Sequence, residues 1–329
     1  MSGRTLGVIL AVVGTVAGVA ALSAQTEHRG GGRYRTDRLA KPIPPEMQNL
    51  TDPALNGAVD IHFHVGPDSY PRSIDALDAA KLAKSRGMRG AVLKHHFSQT
   101  AGLAYLARKA APGFEAFGGI ALNTPVGGLN VEAIRHMIEI EGGYGKVVWM
   151  PTHDGESEGK AENRPYVVVS KDGALVPEAK AVIAFVKEHQ LTLETGHSTP
   201  TEQLMIVREA KAQGVQHVIV THEGNIPGPM TTALLKEAIA SGAFIEICTT
   251  GITAANAKTK IDRIRELGPE HVIISSDVGL VGAPLHPDSL AFFAKALRAA
   301  GFTEHELDLM YKDNPATALG LPLYRPGSK

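Results

Sequence analysis

Residues 59–65 read Val-Asp-Ile-His-Phe-His-Val, and apolar side chains alternate with polar ones along the whole stretch. A period of two residues is typical of a β-strand with one face packed against apolar neighbours. Asp60, His62 and His64 are then expected on the opposite face, pointing inward. Two imidazoles two residues apart at the end of a strand lie close enough to bind one cation together. The stretch therefore predicts a strand that carries a metal site at its carboxyl end.

From Gly57 onward, short apolar runs alternate with amphipathic helical patterns. Eight strands alternating with eight helices indicate an α/β fold with parallel strands, and the number eight favours a closed (β/α)8 TIM barrel with a C-terminal helix. A small hairpin insertion is predicted after the fourth strand, with strands at residues 166–169 and 174–176. A doubly wound open sheet is the alternative, but no Gly-rich dinucleotide turn follows the first strand. The strands are predicted to end near His64, Lys94, Leu122, Met150, Thr195, Thr221, Cys248 and Ser276.

The composition of the 329-residue chain excludes several classes of protein. Lys and Arg number 33 against 34 Asp and Glu, so no global field attracts nucleic acid or anionic lipid. A hydrophobic fraction of 43% excludes a disordered chain. The single cysteine, Cys248, excludes an intrachain disulfide framework and a zinc site built of cysteines. We therefore expect a small-molecule substrate as the partner, and a homo-oligomer is compatible with this composition.

Residues 1–24 are predicted to direct export of the chain. Arg4 precedes an uncharged run over residues 6–22, and small residues follow it, as in a secretory signal peptide. The run has the minimum length that spans a bilayer, so an uncleaved N-terminal anchor is the alternative and would be the only contact with a membrane. Both interpretations place the predicted barrel, residues 56–325, in the periplasm or outside the cell. Residues 25–55, rich in glycine, proline and basic side chains, are predicted to be a flexible tether.

Three further residues of the types that bind metal ions come shortly after predicted strands. His197, His222 and Asp277 come after the fifth, sixth and eighth strands, at intervals of whole strand–helix units. Barrel closure would bring them to the same end as His62 and His64. Four imidazoles and a carboxylate suit zinc, iron or manganese, and zinc is the usual choice for hydrolysis without redox chemistry.

The motif at residues 60–64, the histidines after the fifth and sixth strands and the aspartate after the eighth resemble the amidohydrolase superfamily of metal-dependent TIM-barrel hydrolases. The Asn-Pro-Ala segment that begins residues 314–321 is similar to the segment that ends many of these enzymes. The resemblance covers residues 57–321, and the segments DIHFHVGPD and AVLKHH are similar to an uncharacterised amidohydrolase-related branch. It implies one metal held by His62, His64 and Asp277 and a second held by His197 and His222.

Two-metal members of the superfamily usually bridge their metals with a carboxylated lysine or a glutamate that ends the fourth strand. Here residues 147–153 read Val-Val-Trp-Met-Pro-Thr-His, and Lys146 lies at the wrong end of that strand. His153 is in the right region and is a candidate ligand. Lys94, at the end of the second strand, is a candidate carboxylated bridging lysine, and the alternative for it is an ammonium that binds an anionic substrate. One or two metal ions are therefore both compatible with the sequence.

These residues predict hydrolysis of an amide, ester, lactone or phosphoester by a metal-activated water. Asp277 is expected to accept a proton from the water and pass it to the leaving group. His222 or His153 is expected to stabilise the developing oxyanion. For Arg72, a surface position beside a helix start is the alternative to a substrate contact. The predicted substrate contacts are Arg72, His96 and Asn123.

A non-haem iron redox enzyme is the alternative function. Four histidines and a carboxylate at the mouth of the same barrel also suit iron. The identity of the metal and the consumption of oxygen separate the two functions.

Overall fold

A computed structural model describes residues 43–224 and 227–324 of the chain. The predicted alternation of strands and helices is present, and eight strands form one parallel sheet in the order β1-β2-β3-β4-β7-β8-β9-β10. The strands are β1 (Val59–His64), β2 (Gly90–Lys94), β3 (Glu115–Ala121), β4 (Gly145–Trp149), β5 (Ser170–Lys171), β6 (Ala174–Leu175), β7 (Thr192–Glu194), β8 (Val218–Val220), β9 (Phe244–Cys248) and β10 (Val272–Ser275).

The sheet closes between β1 and β10. Phe63 forms a parallel bridge with Val278, just beyond the end of β10. The backbone N–H of Asp277 also donates to the carbonyl oxygen of His62 at 2.9 Å. The predicted (β/α)8 TIM barrel is thus confirmed. The hairpin after β4 is present too, although its first strand begins at Ser170 rather than at residue 166.

Helices follow the barrel strands, as the alternation of sequence patterns predicts. Several end at a glycine that adopts positive φ, for example Gly87 at 86° and Gly214 at 83°, because a left-handed residue after the last turn satisfies the final carbonyl groups. None of the helices in residues 43–224 and 227–324 has the length and apolar character needed to cross a bilayer. The helices are α1 (Ala76–Ser85), α2 (Ala101–Ala110), α3 (Val131–Glu139), α4 (Glu156–Ala161), α5 (Pro177–Glu188), α6 (Pro200–Gln213), α7 (Thr232–Ala240), α8 (Ala257–Leu267), α9 (His286–Ala299), α10 (Glu304–Asp308) and α11 (Asn314–Ala318).

The apolar core has two parts. The larger part lies between the strands and the surrounding helices, and the smaller part fills the barrel and is covered by Ala318 and Leu319. The smaller cluster contains Val59 and Ile61, whereas Phe63 belongs to the outer one. A register irregularity between Asp60 and Phe63 interrupts the alternation of β1 at this point.

This irregularity corrects one prediction. Asp60 was expected to point into the barrel, but its carboxylate accepts hydrogen bonds from the backbone N–H groups of His62 and Ser276 at 3.1 and 3.0 Å. Burial raises the pKa of Asp60 to about 6, against the hydrogen bonds that lower it. Asp60 therefore ties β1 to the end of β10, and the bulge allows His62 to face inward directly after Ile61.

The predicted tether, residues 25–55, also extends too far along the chain. Met47, Ala54 and Leu55 are buried, and the N–H of Leu50 donates to Asp288 on α9 at 2.7 Å. Residues 43–55 are therefore part of the barrel unit, because their apolar side chains pack on it. The predicted signal peptide or anchor and the tether up to residue 42 lie outside the described residues.

Candidate functional site

Three predicted ligands meet at one carboxylate oxygen at the barrel mouth. Nε2 of His62 lies 2.9 Å from Oδ1 of Asp277, and Nε2 of His64 lies 3.2 Å from the same atom. Burial would raise the pKa of the Asp277 carboxyl, but the charges of His62 and His222 hold it well below its usual value. His62, His64 and Asp277, the inner site from here on, thus present two imidazoles to an ionised carboxylate.

The Nδ1 atoms of His62 and His64 have partners outside the inner site. Nδ1 of His62 lies 2.9 Å from Oε1 of Glu246, and Nδ1 of His64 lies 3.2 Å from the carbonyl oxygen of Lys94. Carboxylate and carbonyl partners of this kind fix the orientation of metal-binding histidines. Burial would lower the pKa of His62, but the charges of Asp277 and Glu246 raise it to about 9.

His222 joins the inner site from the opposite side. Its Nδ1 lies 3.7 Å from Oδ2 of Asp277 and 3.2 Å from Sγ of Cys248, and its backbone N–H donates to Oε2 of Glu246 at 3.1 Å. Burial lowers the pKa of His222 to about 3, so the imidazole is neutral at neutral pH. His222, Glu246 and Cys248 form, together with His62, a second buried group of side chains that could bind a metal ion.

The backbone is strained at the site. His222, Glu223 and Asp277 have φ values of 56°, 57° and 48°, in the left-handed region that costs a non-glycine residue about 1–2 kcal/mol. Such strain persists where the surrounding structure enforces it, and it concentrates at functional sites. Two of the predicted site residues are thus held in unfavourable conformations at the ends of β8 and β10.

His197 lies beside His222, with ring centroids 5.3 Å apart. Its Nδ1 is 3.3 Å from Oε2 of Glu158, whereas its Nε2 is buried and forms no hydrogen bond within the described residues. A buried imidazole nitrogen without a partner is costly, so it indicates a ligand at this point. His153, the other candidate from the loop after β4, has its ring 5.7 Å from that of His197.

Lys94 ends β2 and is fully buried inside the barrel. Its Nζ lies 2.7 Å from Nε2 of His62 and 4.7 Å from the ring centroid of Trp149. Burial lowers the pKa of Lys94, against the charges of Asp277 and Glu194 that raise it. The amine therefore lies within the group of predicted ligands rather than at the solvent-exposed rim.

The predicted substrate contacts have partners within the protein. Arg72 donates to Oδ2 of Asp68 through Nε at 2.8 Å and Nη2 at 2.5 Å, and Nη2 also lies 3.1 Å from Nδ1 of His64. Nδ1 of His96 lies 3.0 Å from Oγ1 of Thr152. The ring centroids of His96 and His64 are 4.7 Å apart. Arg72 and His96 thus lie beside the inner site.

Asn123 is buried, and its amide ties the loops after β2 and β4 together. It donates to the carbonyl oxygen of His96 and to Oγ1 of Thr152, both at 2.7 Å. It accepts from the N–H groups of Thr152 and Asp154 at 2.9 and 3.1 Å. The amide has no donor left for a substrate, so the geometry favours a structural role over the predicted substrate contact.

Two buried glutamates of the barrel interior were not identified from the sequence. Glu246 of β9 accepts from Oγ of Ser275 at 2.7 Å, and Glu194 of β7 accepts from Oγ1 of Thr221 at 2.9 Å. Burial and the charge of Glu246 raise the pKa of Glu194 to about 8. Both occupy inward positions of an alternating strand, so the rule applied to residues 59–65 would have found them.

His286 packs against β1 from outside the site, and its burial makes the stability of the protein depend on pH. It is fully buried at the start of α9, its Nε2 lies 2.8 Å from the carbonyl oxygen of His64, and its ring stacks on Phe63 with centroids 3.7 Å apart. Burial lowers its pKa from 6.5 to about 3. Between these values the unfolded chain binds a proton that the folded metal-free protein does not.

The free energy of unfolding of the metal-free protein is therefore expected to fall as pH decreases below 6.5, with about 1.4 kcal/mol per pH unit from His286. His286→Phe should lose this part of the slope in urea unfolding at pH 6.5, 5.5 and 4.5. His136→Gln is the control, because the His136 side chain is 78% exposed. Equal slopes in wild type and His286→Phe would contradict the prediction.

Solved structures share the fold of this chain. An amidohydrolase from Pseudomonas aeruginosa is 11% identical, with a TM-score of 0.54 over 81% of this chain and 98% of that one. An organophosphorus hydrolase from Deinococcus radiodurans is 17% identical, with a TM-score of 0.56 over 81% and 93%. An amidohydrolase from Burkholderia multivorans with bound Zn is 13% identical, with a TM-score of 0.55 over 80% and 99%. At these identities the likeness concerns the fold.

The family comparison covers the first six strands of the barrel and most of the seventh. No curated protein shows significant similarity to the sequence. Residues 57–246, more than half of the chain, match the model of DUF6282, which is described as a family of unknown function. This eight-stranded barrel therefore belongs to the DUF6282 family.

Proposed function

We propose that the protein is a metal-dependent hydrolase that acts on an amide, ester, lactone or phosphoester of a small molecule. The observation that carries the proposal is the approach of the His62 and His64 Nε2 atoms to one oxygen of Asp277, at 2.9 and 3.2 Å. Ligand atoms of a tetrahedral zinc site are separated by about 3.3 Å, since Zn–N bonds measure about 2.0–2.1 Å. The amidohydrolase-fold structures support the same class of enzyme.

The donor set fits a divalent cation such as zinc, manganese or iron. It consists of imidazole nitrogens and an ionised carboxylate, and the two inner-site imidazoles have oxygen partners on their Nδ1 side. His62, His64 and Asp277 would hold the ion, and His222 lies beside it.

When bound, the cation would lower the pKa of a water molecule and polarise the substrate oxygen. Asp277 accepts the proton of the attacking water and transfers it to the leaving group, because its carboxylate is ionised and lies at the mouth. The neutral imidazole of His222 donates an N–H to the developing oxyanion. Arg72, paired with Asp68, places a positive charge beside His64, with its Nη2 3.1 Å from Nδ1 of that imidazole.

The experiment for this proposal combines metal analysis with a substrate panel. The protein is purified without added metal, its metal content is measured, and lactones, N-acyl amino acids and phosphoesters are tested for hydrolysis. Zinc or manganese together with turnover of one substrate class supports the proposal. Iron together with oxygen consumption would favour a non-haem iron redox enzyme instead.

We propose further that Lys94 is carboxylated in the metal-loaded protein. The uncharged amine attacks CO₂, a C–N bond forms, one proton is released, and the product is a carbamate anion. The buried position of Nζ beside His62 supports this state, because burial favours the uncharged amine that the reaction needs. A carbamate also adds an oxygen ligand where an ammonium would repel the cation.

Carboxylation is expected to produce a carbamate signal in ¹³C NMR after equilibration with ¹³C-bicarbonate and zinc. Lys94→Met should lack this signal, whereas Lys146→Met should retain it. Lys146 is the matched control because it lies at the opposite end of its strand and is only half-buried. A wild-type spectrum without the signal would contradict the carboxylation of Lys94.

Export is proposed on the N-terminal pattern alone. The basic start, the uncharged run over residues 6–22 and the small residues after it support a cleaved signal peptide or an anchor that faces the periplasm. The mass of the mature protein from a periplasmic fraction tests this: loss of about 24 residues supports cleavage, and recovery of the full-length chain from the cytoplasm opposes export.

A further inference from the structure

A third group of ligand-type side chains lies at the barrel mouth, outside the inner site. It consists of His153 from the loop after β4, Glu158 on α4 and His197 after β7, and one ligand atom of each lies within 4.8 Å of the others. These three residues are called the outer site. The superfamily resemblance instead assigns His197 and His222 to one metal. Glu158 has no counterpart in that set of ligands.

The distances in the outer site are compatible with a shared cation. Oε2 of Glu158 lies 3.3 Å from Nδ1 of His197 and 3.8 Å from Nδ1 of His153. The edge of a tetrahedron around zinc measures about 3.3 Å. One carboxylate oxygen faces two imidazole nitrogens, which gives three side chains that can bind one cation together.

The outer site is separate from the inner one. His222 turns its Nδ1 to Asp277 and Cys248, whereas His197 turns its Nδ1 away from them to Glu158. The rings of the two histidines are in contact, with centroids 5.3 Å apart. The histidines that the superfamily resemblance assigns to one metal are thus divided between two groups.

The electrostatic surroundings allow a cation at the outer site. Two basic side chains, Lys94 and Arg164, act on His153, and Arg164 forms ion pairs with Asp154 at 3.0 Å and with Glu162 at 2.7 Å. The side chains of His153 and Glu158 are 34% and 22% exposed, so an ion and water ligands can reach them from solvent.

The structure assigns His153, Glu158 and His197 as the ligands of a second divalent cation of the zinc or cobalt type, held at the edge of the mouth. The assignment does not depend on hydrolase activity, because it concerns binding of an ion to the folded protein. Because its ligands are partly exposed, the outer ion should bind more weakly than the inner ion and leave first when a chelator is added.

The test uses Zn²⁺ and Co²⁺ as probes on the full-length protein after metal removal. Isothermal titration and metal analysis after gel filtration are expected to give two bound ions per wild-type chain. Glu158→Gln should lower the affinity of one of them by more than about 100-fold, since loss of a ligand costs more than loss of an orienting partner. Glu156→Gln is the matched control, because Glu156 lies on the same helix and pairs with Lys160.

The Asp277→Asn variant distinguishes this assignment from the proposed function. It should weaken the inner ion and leave the outer ion bound, so that a cobalt spectrum of nitrogen and oxygen ligands persists. Two ions of unchanged affinity in Glu158→Gln, or a single ion per wild-type chain, would overturn the outer site. Retention of both ions in Asp277→Asn would contradict the inner site instead.

Discussion

Replacement of Asp277 by asparagine is expected to lower kcat by a factor of about 10² to 10⁴ at saturating metal, while the barrel remains folded. The amide keeps the size of the carboxylate but cannot accept a proton from water. Asparagine also tolerates the left-handed backbone that Asp277 adopts, with φ at 48°. The measurement is kcat with zinc in excess, together with circular dichroism and thermal unfolding.

The control for this variant is Asp172→Asn. Asp172 has a similar φ of 53° but is exposed in the turn between β5 and β6, so the replacement changes an aspartate in the same conformation outside the site. It should retain full activity. Full activity in Asp277→Asn would remove the proton-transfer role that we assign to Asp277.

Removal of the metal is expected to abolish turnover and to lower Tm. An ion that binds only the folded protein stabilises it by about 4 kcal/mol at a free concentration 1,000 times its Kd. For a barrel of this size that corresponds to a change in Tm on the order of 10 °C. Activity and Tm are measured after dialysis against a chelator and again after zinc is restored.

The His62→Asn variant is the companion to this experiment. It removes an inner ligand, so zinc should raise its Tm much less than that of wild type. His271→Asn is the matched control, since His271 is partly exposed and precedes β10 at the end of the barrel opposite the mouth. A protein that keeps full activity after exhaustive chelation would contradict a metal-dependent reaction.

The sequence predicted the barrel because the local patterns agree with the fold. Each barrel strand ends close to its predicted position, and helices end at glycines such as Gly87 that take the left-handed conformation. Barrel closure then brings the ends of distant strands together. For this reason His62, His64 and Asp277 could be placed in one site without any long-range information.

Other features were inaccessible because they depend on tertiary contacts. The irregularity in β1 that separates Asp60 from His62 arises from pairing with β2 and leaves no mark on the alternating pattern. The contact of Glu158 with His197 depends on how α4 folds back over the mouth, which no periodicity specifies. Glu246 is different, because the alternation in β9 already marks it as an inward-facing polar residue.

The central claim is that His62, His64 and Asp277 hold a cation, and anomalous scattering from crystals of the active protein tests it most directly. Data collected on both sides of the absorption edge of the bound metal should show a peak within about 2.5 Å of both Nε2 atoms and of Asp277 Oδ1. A peak only at other residues, or active crystals without any anomalous peak, would contradict the claim.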